Sequence, residues 1–233
     1  MKICSHVVTH DTGLAPNPFH GYCTSAVCTP SHMNAGLEEG DWLVGNSPKD
    51  DGNRLVYAMR ISKVMSMNQY FQSESFSAKK PKPNGAPEEQ CGDNIYYQDD
   101  DAAWRRLPSP FHNDPKSFAK DVGRNGAGRP VFIAEHFYYF GKRRVGIPSE
   151  FGTVIQRQQG IHYTRGQQAR DFIAWLEANY APGRLGTPRD MPARAAGTGT
   201  TAAGSAAVKG KERGDCRPEP RPVAAIQPRK GCR

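Results

Sequence analysis

The sequence has no apolar run near the roughly 20 residues that a membrane helix needs. Its opening residues, MKICSHVVTHD, lack an apolar core followed by a small-residue cleavage site. Export is unsupported on that ground, and the chain is expected in the cytoplasm with no membrane partner. Paired cysteines are missing too. Cys4, Cys23, Cys28, Cys91, Cys216 and Cys232 are scattered, so in a reducing compartment they read as free thiols rather than a disulfide framework. Three catalytic fingerprints are absent: a G-x-x-x-x-G-K-S/T loop, a G-x-G-x-x-G turn after a strand, and an H-E-x-x-H helix. Nucleotide hydrolysis, dinucleotide redox chemistry and a zincin mechanism therefore lack support, and no cofactor is implied. No internal repeat is visible. The first 180 residues also lack an excess of positive charge. The formal net charge is +8, but residues 1–180 hold 20 Lys and Arg against 19 Asp and Glu, whereas 181–233 hold 11 against 4. Overall basicity is thus weak evidence about the domain, and only local clusters can argue for phosphate contact there.

What is present is enough for one domain. With 233 residues, 37% of them hydrophobic, the chain can bury a single core, and two full domains are not expected. From about Ala181 the composition turns to Ala, Gly, Pro, Thr and Arg, which cannot bury enough apolar surface to offset the entropy of ordering. The expected organisation is a domain over 1–180 and a disordered basic tail over 181–233.

Within the domain, Ile3 to Thr9, Asp41 to Gly45, Arg54 to Val64 and Pro130 to Phe140 carry the strand signal of β-branched and aromatic residues between Gly, Pro, Asn or Asp. NSPKDDGN joins the second and third as a hairpin turn. In the third, Leu55, Tyr57, Met59 and Ile61 alternate with Val56, Ala58 and Arg60, which predicts a half-buried strand. Ser66 caps a predicted short helix over Met67 to Phe71. Ala169, Phe172, Ile173 and Leu176 share one helical face before the Pro182-Gly183 stop, predicting a C-terminal helix. The Pro-, Gly- and Asp-rich stretch from Ser73 to Gly128 is expected to be mostly ordered loop, with short elements near Ile95-Tyr96 and Trp104. The fold class that follows is α+β: a mixed, mainly antiparallel curled sheet or small barrel, with a few helices. A strand entered by Gly-Asp and followed by an apolar strand is also a pattern of PUA-like and EVE-like barrels, which bind RNA or modified bases; the link is a fold-level analogy.

A more specific resemblance lies in a series of runs in fixed order. These are HDTGLAPNPFHGYCTSAVCTP at 10–30, GDWLVG at 40–45, RLVYAMRI at 54–61, KKPKPNG at 79–85, GDNIY at 92–96, AEHFYYFG at 134–141 and the closing helix. Together, over nearly all of 1–180, they resemble the nucleotide modification associated domain 2 family. The resemblance implies a link to systems that make or process modified DNA bases.

Several segments could carry chemistry. Two prolines, two glycines and an Asn stiffen the loop from Asp11 to Gly21, which could hold Asp11, Asn17 and Phe19 at a pocket mouth to read and stack a base; otherwise it is a rigid connector. Cys23, Cys28 and His32, with His20 nearby, have zinc-ligand chemistry but not the usual C-x2-C spacing, and small buried thiols are the commoner outcome, so no metal is assigned. Cys23 as a nucleophile would need His6, His10 or His20 beside it in space. Asp93, Asn94 and Tyr96 combine a carboxylate, an amide and a ring that suit a base, but equally suit a turn entering a core strand. Trp42 packs inside the sheet or lines a pocket. Lys79, Lys80 and Lys82 alternate with prolines as an outward phosphate ridge would, or as a solvated loop. Phe137 to Phe140 read as a core strand flanked by Lys142-Arg143-Arg144, which could touch phosphate, and the acidic run Asp99 to Asp101 reads as solvated.

The leading expectation is a module that binds nucleic acid or a nucleotide, carrying a modified base, through Asp11, Asn17, Phe19, Cys23, Trp42, Lys79, Lys80, Asp93, Asn94 and Tyr96. The basic tail would add salt-sensitive attraction. The alternatives are an enzyme acting on a modified base with Asp11, Asp93 or Cys23 as its working group, and a protein-interaction scaffold. The last would gain if the lysine ridge packed against the protein's own surface.

Overall fold

A computed structural model describes residues 1–27, 36–123 and 128–192. They belong to a compact unit spanning Met1–Ala195. Its centre is a six-stranded sheet in the order β10 (Ile161–Arg165), β1 (Lys2–Val7), β3 (Trp42–Asn46), β4 (Leu55–Arg60), β9 (His136–Tyr139) and β11 (Gly183–Arg184). The pairs β1–β3 and β9–β11 are parallel and the others antiparallel. A second sheet orders β2 (Cys23–Ser25), β8 (Pro130–Ala134) and β5 (Lys63–Ser66), and β6 (Tyr96–Gln98) pairs with β7 (Trp104–Arg106). The expected mixed, mainly antiparallel sheet is present. The barrel alternative is not: among the described residues the large sheet ends at β10 and β11 without closing.

Both faces of the large sheet are covered. The helix α4 (Gly166–Asn179) lays Ala169, Phe172, Ile173 and Leu176 against Ile3, Val44, Ala58 and Tyr138. The second sheet supplies Cys23, Phe132 and Ala134 to the opposite face, where they meet Cys4, Leu43, Tyr57, Met59 and Tyr139. Each fully buried Leu, Ile or Phe contributes about 1.5–3 kcal/mol, so this double cover is the main source of stability. It also corrects the half-buried reading of β4, whose residues from Leu55 to Met59 are buried on both faces.

Two predicted strands divide. The run Arg54 to Val64 leaves the large sheet after Arg60 and resumes as β5 in the second sheet. The run Pro130 to Phe140 does the reverse, as β8 and then β9, with Glu135 at the switch. A period of two reports which residues alternate, not which partner a strand takes. The helix α1 (Met67–Gln72) starts where predicted. Ser66 Oγ accepts from the Gln69 amide at 3.2 Å and the Gln69 side chain accepts from the Ser66 amide at 3.0 Å, a complete capping box.

Among the described residues, the stretch read as loop holds a 3-10 turn over Glu74–Lys79 and two further α-helices, α2 (Pro87–Gln90) and α3 (Pro115–Val122). The second has a signal that composition masked: Asp114 accepts from the amides of Lys116 and Ser117, and Pro115 opens the first turn. The body also runs past 180. Residues 183–190 form a strap in which β11 pairs with Tyr138 and Tyr139, the Lys142 amide donates to Thr187 O at 2.8 Å, and Pro188 is buried. Residues 193–233 of the expected tail lie outside the described residues, as do Cys28 and His32. No helix among the described residues is long and apolar enough to cross a membrane.

Candidate functional site

Four of the residues singled out in the sequence meet in one buried polar network under the 11–23 loop, with Cys23 packed beside them. Lys79 is 1% exposed, and its ammonium spends all three donors on that loop: Asn17 O at 2.9 Å, Asn17 Oδ1 at 2.7 Å and Tyr22 O at 2.9 Å. The Asn17 amide donates onward to Cys91 O at 2.8 Å. Asp93 accepts from Thr24 Oγ1 at 2.7 Å and from Tyr70 OH at 2.8 Å, and Asn94 donates to Tyr70 O and Phe76 O. Gly92 permits the approach: a Cβ there would stand 2.3 Å from Lys79 O. Cys23 sits in the same interior with no exposure.

Burial sets the charges here. It lowers Lys79 to about 8, opposed by Asp93 and Cys23, and raises Asp93, opposed by Lys79 and the two hydroxyl donors. It also pushes the Cys23 thiol up to about 12, so at neutral pH this sulfur is protonated as well as inaccessible, and it lacks the properties of a nucleophile.

Asp11 belongs to a neighbouring knot. Tyr139 OH donates to Asp11 Oδ1, the Arg189 amide donates to Oδ2 at 3.2 Å, and the backbone amides are exchanged, Asp11 N to Asp190 Oδ2 at 2.9 Å and Asp190 N to Asp11 O at 2.7 Å. Burial raises this carboxyl above its usual range, and the Tyr139 hydroxyl holds it back. The strap thus seals Asp11 from solvent.

The outward lysine ridge is corrected by these contacts. Lys79 points inward, Lys80 lies 3.9 Å from the centre of the Phe71 ring, and Lys82 pairs with Glu89 at 2.6 Å. Lys79 closes a 3-10 turn that runs from Glu74, and the three carbonyl-type acceptors of the stiff loop hold its ammonium inside. Trp42 is buried and stacked on Tyr138, and Tyr96 is buried with its hydroxyl on Asp121 at 2.9 Å; neither joins the network.

On the outer side of the loop a groove of about 430 Å³ opens, lined by Phe19, His20, Glu88, Glu135, His136 and Arg184 among others. His20 is exposed in the left-handed region at φ 57°, held there by the turn into Gly21. Partial burial and then the nearby Lys79 ammonium keep its imidazole below the ordinary value. The Arg184 guanidinium stands 5.3 Å from the Phe19 ring centre and pairs with Glu88. His136 meets the Trp42 ring edge-on at 5.8 Å. Glu135 is exposed at the point where the chain changes sheets.

Sequence reasoning brought Phe19 to this rim but missed Glu88, Glu135, His136 and Arg184. The charged Glu135 inside an apolar run was a usable signal. Arg184 was hidden because its segment has the composition of the tail.

Fold and groove together define a mixed α+β domain with a polar clamp inside and a shallow cleft over the clamped loop. Residues 1–195 match the model of nucleotide modification associated domain 2, and the chain belongs to that family, as its motifs had suggested; the family's name ties it to nucleotide modification systems. No curated protein and no solved structure matches it.

Proposed function

We propose that the domain is a recognition or accessory module that binds a nucleotide, free or within nucleic acid and carrying a modified base, in the Phe19–Arg184 groove. The observation that carries this reading is the fixed guanidinium of Arg184. Held between Phe19 and Glu88, it keeps further N–H donors for a phosphate and loses little entropy on binding one. His20 and His136 offer flat rings for a base, and Glu135 offers an acceptor for an exocyclic amine or ring N–H. The volume suits a mononucleotide-sized ligand, given that pockets for small ligands start at roughly 300 Å³. The buried network supports the groove by fixing its loop rather than by touching the ligand. A cytoplasmic setting, where reduced Cys4, Cys23 and Cys91 would coexist with nucleic acid, fits this role.

Calorimetric titration of the full chain with nucleosides and their monophosphates, natural and modified, tests the reading. A monophosphate should bind, and Arg184→Ala should weaken it at least tenfold while leaving the matching nucleoside nearly unchanged. If no nucleotide or short oligonucleotide binds the wild-type chain, the groove is not a nucleotide site.

A second reading, a protein-interaction scaffold, gains from the inward packing of Lys79, which removes the phosphate ridge from the argument. It requires that the groove bind no nucleotide at all, so the same titration separates the two.

A further inference from the structure

The opposite end of the large sheet carries a different surface. In the register Trp42, Arg60 and His136 stand side by side at the groove end, and Val7 and Asn46 pair at the other, on the order of 15 Å away by strand rise. There the segment before β10 projects as a finger, Arg157-Gln158-Gln159-Gly160, whose first three residues are exposed. Its root is clamped. Asn46, fully buried, donates to Gln156 O at 2.9 Å and accepts from the Gln156 amide at 3.0 Å, so the tip is presented on a fixed base.

Arg157, Gln158 and Gln159 form a wall common to two cavities of about 380 and 390 Å³. One continues to Thr9, Pro48 and Lys49, the other to Thr153, Gln156 and His162. No carboxylate lines either cavity, in contrast to the groove with Glu88 and Glu135 and the Trp42 cavity with Glu38, Glu39 and Glu177. Of the two acids that follow Lys49 in the chain, Asp51 is already engaged by Arg144 and Arg189, and Asp50 is exposed but outside the lining.

We infer that this finger is a nucleic-acid contact, with the sugar-phosphate backbone lying across the two cavities against Lys49, Arg157 and His162 and the glutamine amides donating to phosphate or base edges. Cationic and amide donors without competing carboxylates match a polyanion that also presents base acceptors, and the rigid root reduces the ordering cost of binding. The inference uses residues separate from the groove. It adds a partner in polymer form, whether or not a free nucleotide binds at the other end.

The test is fluorescence anisotropy of the full chain on a labelled DNA duplex and on the matching single strand, over a salt series. Each lost phosphate contact should lower the steepness of log K against log salt by about 1, so Lys49→Ala with Arg157→Ala should lower it by about 2. Lys49→Glu with Arg157→Glu should weaken binding more than tenfold at low salt. Both pairs are exposed, and an unchanged melting temperature will show that the variants fold. The two DNA forms tell which polymer the finger prefers. Wild-type slope and affinity in both variants would mean that other basic residues hold the DNA, and would overturn the proposal, as would absence of binding by the wild-type chain at low salt. Neither result bears on the titration with free nucleotides, which reads Arg184 and not Lys49 or Arg157.

Discussion

The two sides of the 11–23 loop use the same kinds of side chain to opposite ends. On the inner side a lysine, an amide and a carboxylate are buried, and the lysine's three donors and the Asp93 carboxylate are all matched to partners. On the outer side an arginine, two imidazoles and two glutamates stand at a groove with bonding capacity left over. Burial decides between the roles. A polar group inside must be satisfied or it costs stability, so it comes to specify one conformation; a polar group at the rim stays available to a ligand.

Variants can break that contrast, and the largest effect should come from the inner side. Lys79→Met would strip the ammonium donor from Asn17 O, Asn17 Oδ1 and Tyr22 O, of which Asn17 O keeps the Thr24 amide and Oδ1 a long bond from the Phe19 amide; the loss should be about 3–5 kcal/mol by analogy with breaking one side of a buried charged contact. Urea unfolding would measure it, and a loss below about 1 kcal/mol would mean that the clamp does not hold the loop.

Next comes His6, buried against Tyr57 OH at 2.7 Å and lowered by burial from 6.5 to about 4. The unfolded chain takes up this proton as pH falls through 6.5, and the folded chain only near 4. Stability is therefore intact above pH 6.5 and declines toward pH 4 by about 3 kcal/mol. Asp11 and Asp93, raised by burial, act in the opposite sense, since the folded state protonates them first as pH falls. Unfolding of wild type and His6→Gln at pH 7 and pH 4.5 isolates the histidine: the variant should lose less stability, and equal losses would remove His6 as the source.

Gly92→Ala should cost about 1–3 kcal/mol, because the new methyl meets Lys79 O and forces the clamp apart. A stability loss accompanied by weaker nucleotide binding would join the two sides of the loop; unchanged binding would separate them. The smallest effect on stability belongs to the rim. Glu135→Gln should stay within about 0.5 kcal/mol of wild type in thermal unfolding while shifting the preference among bases in the titration.

The sequence carried much of the frame. Ser66 with Gln69, the helical face from Ala169 to Leu176 and the β-branched and aromatic runs of β1, β3 and β4 were all readable, because capping, helical periodicity and composition are local. Convergence of Asn17, Cys23, Lys79, Asp93 and Asn94 was readable in part: the runs that hold them were recognised, but not the direction in which they face. Lys79 is the sharpest case. A lysine that opens the run Lys79-Lys80-Pro81-Lys82 has the composition of a surface group, and only acceptors more than 50 residues away explain its burial. The division of two long strands between sheets, marked locally only by the charged Glu135 in the second, and the ordering of 183–190 depend on equally distant partners.

The strap gives the chain an order of events during synthesis. Asp11 finds its partners at Arg189 and Asp190, and β1 finds an edge neighbour in β10, so both closures wait until almost the whole domain has left the ribosome. Until then the apolar edge of β1 and the Asp11 carboxyl remain open to water and to other chains. Such late, long-range closure favours slow folding and a need for protection of the nascent chain.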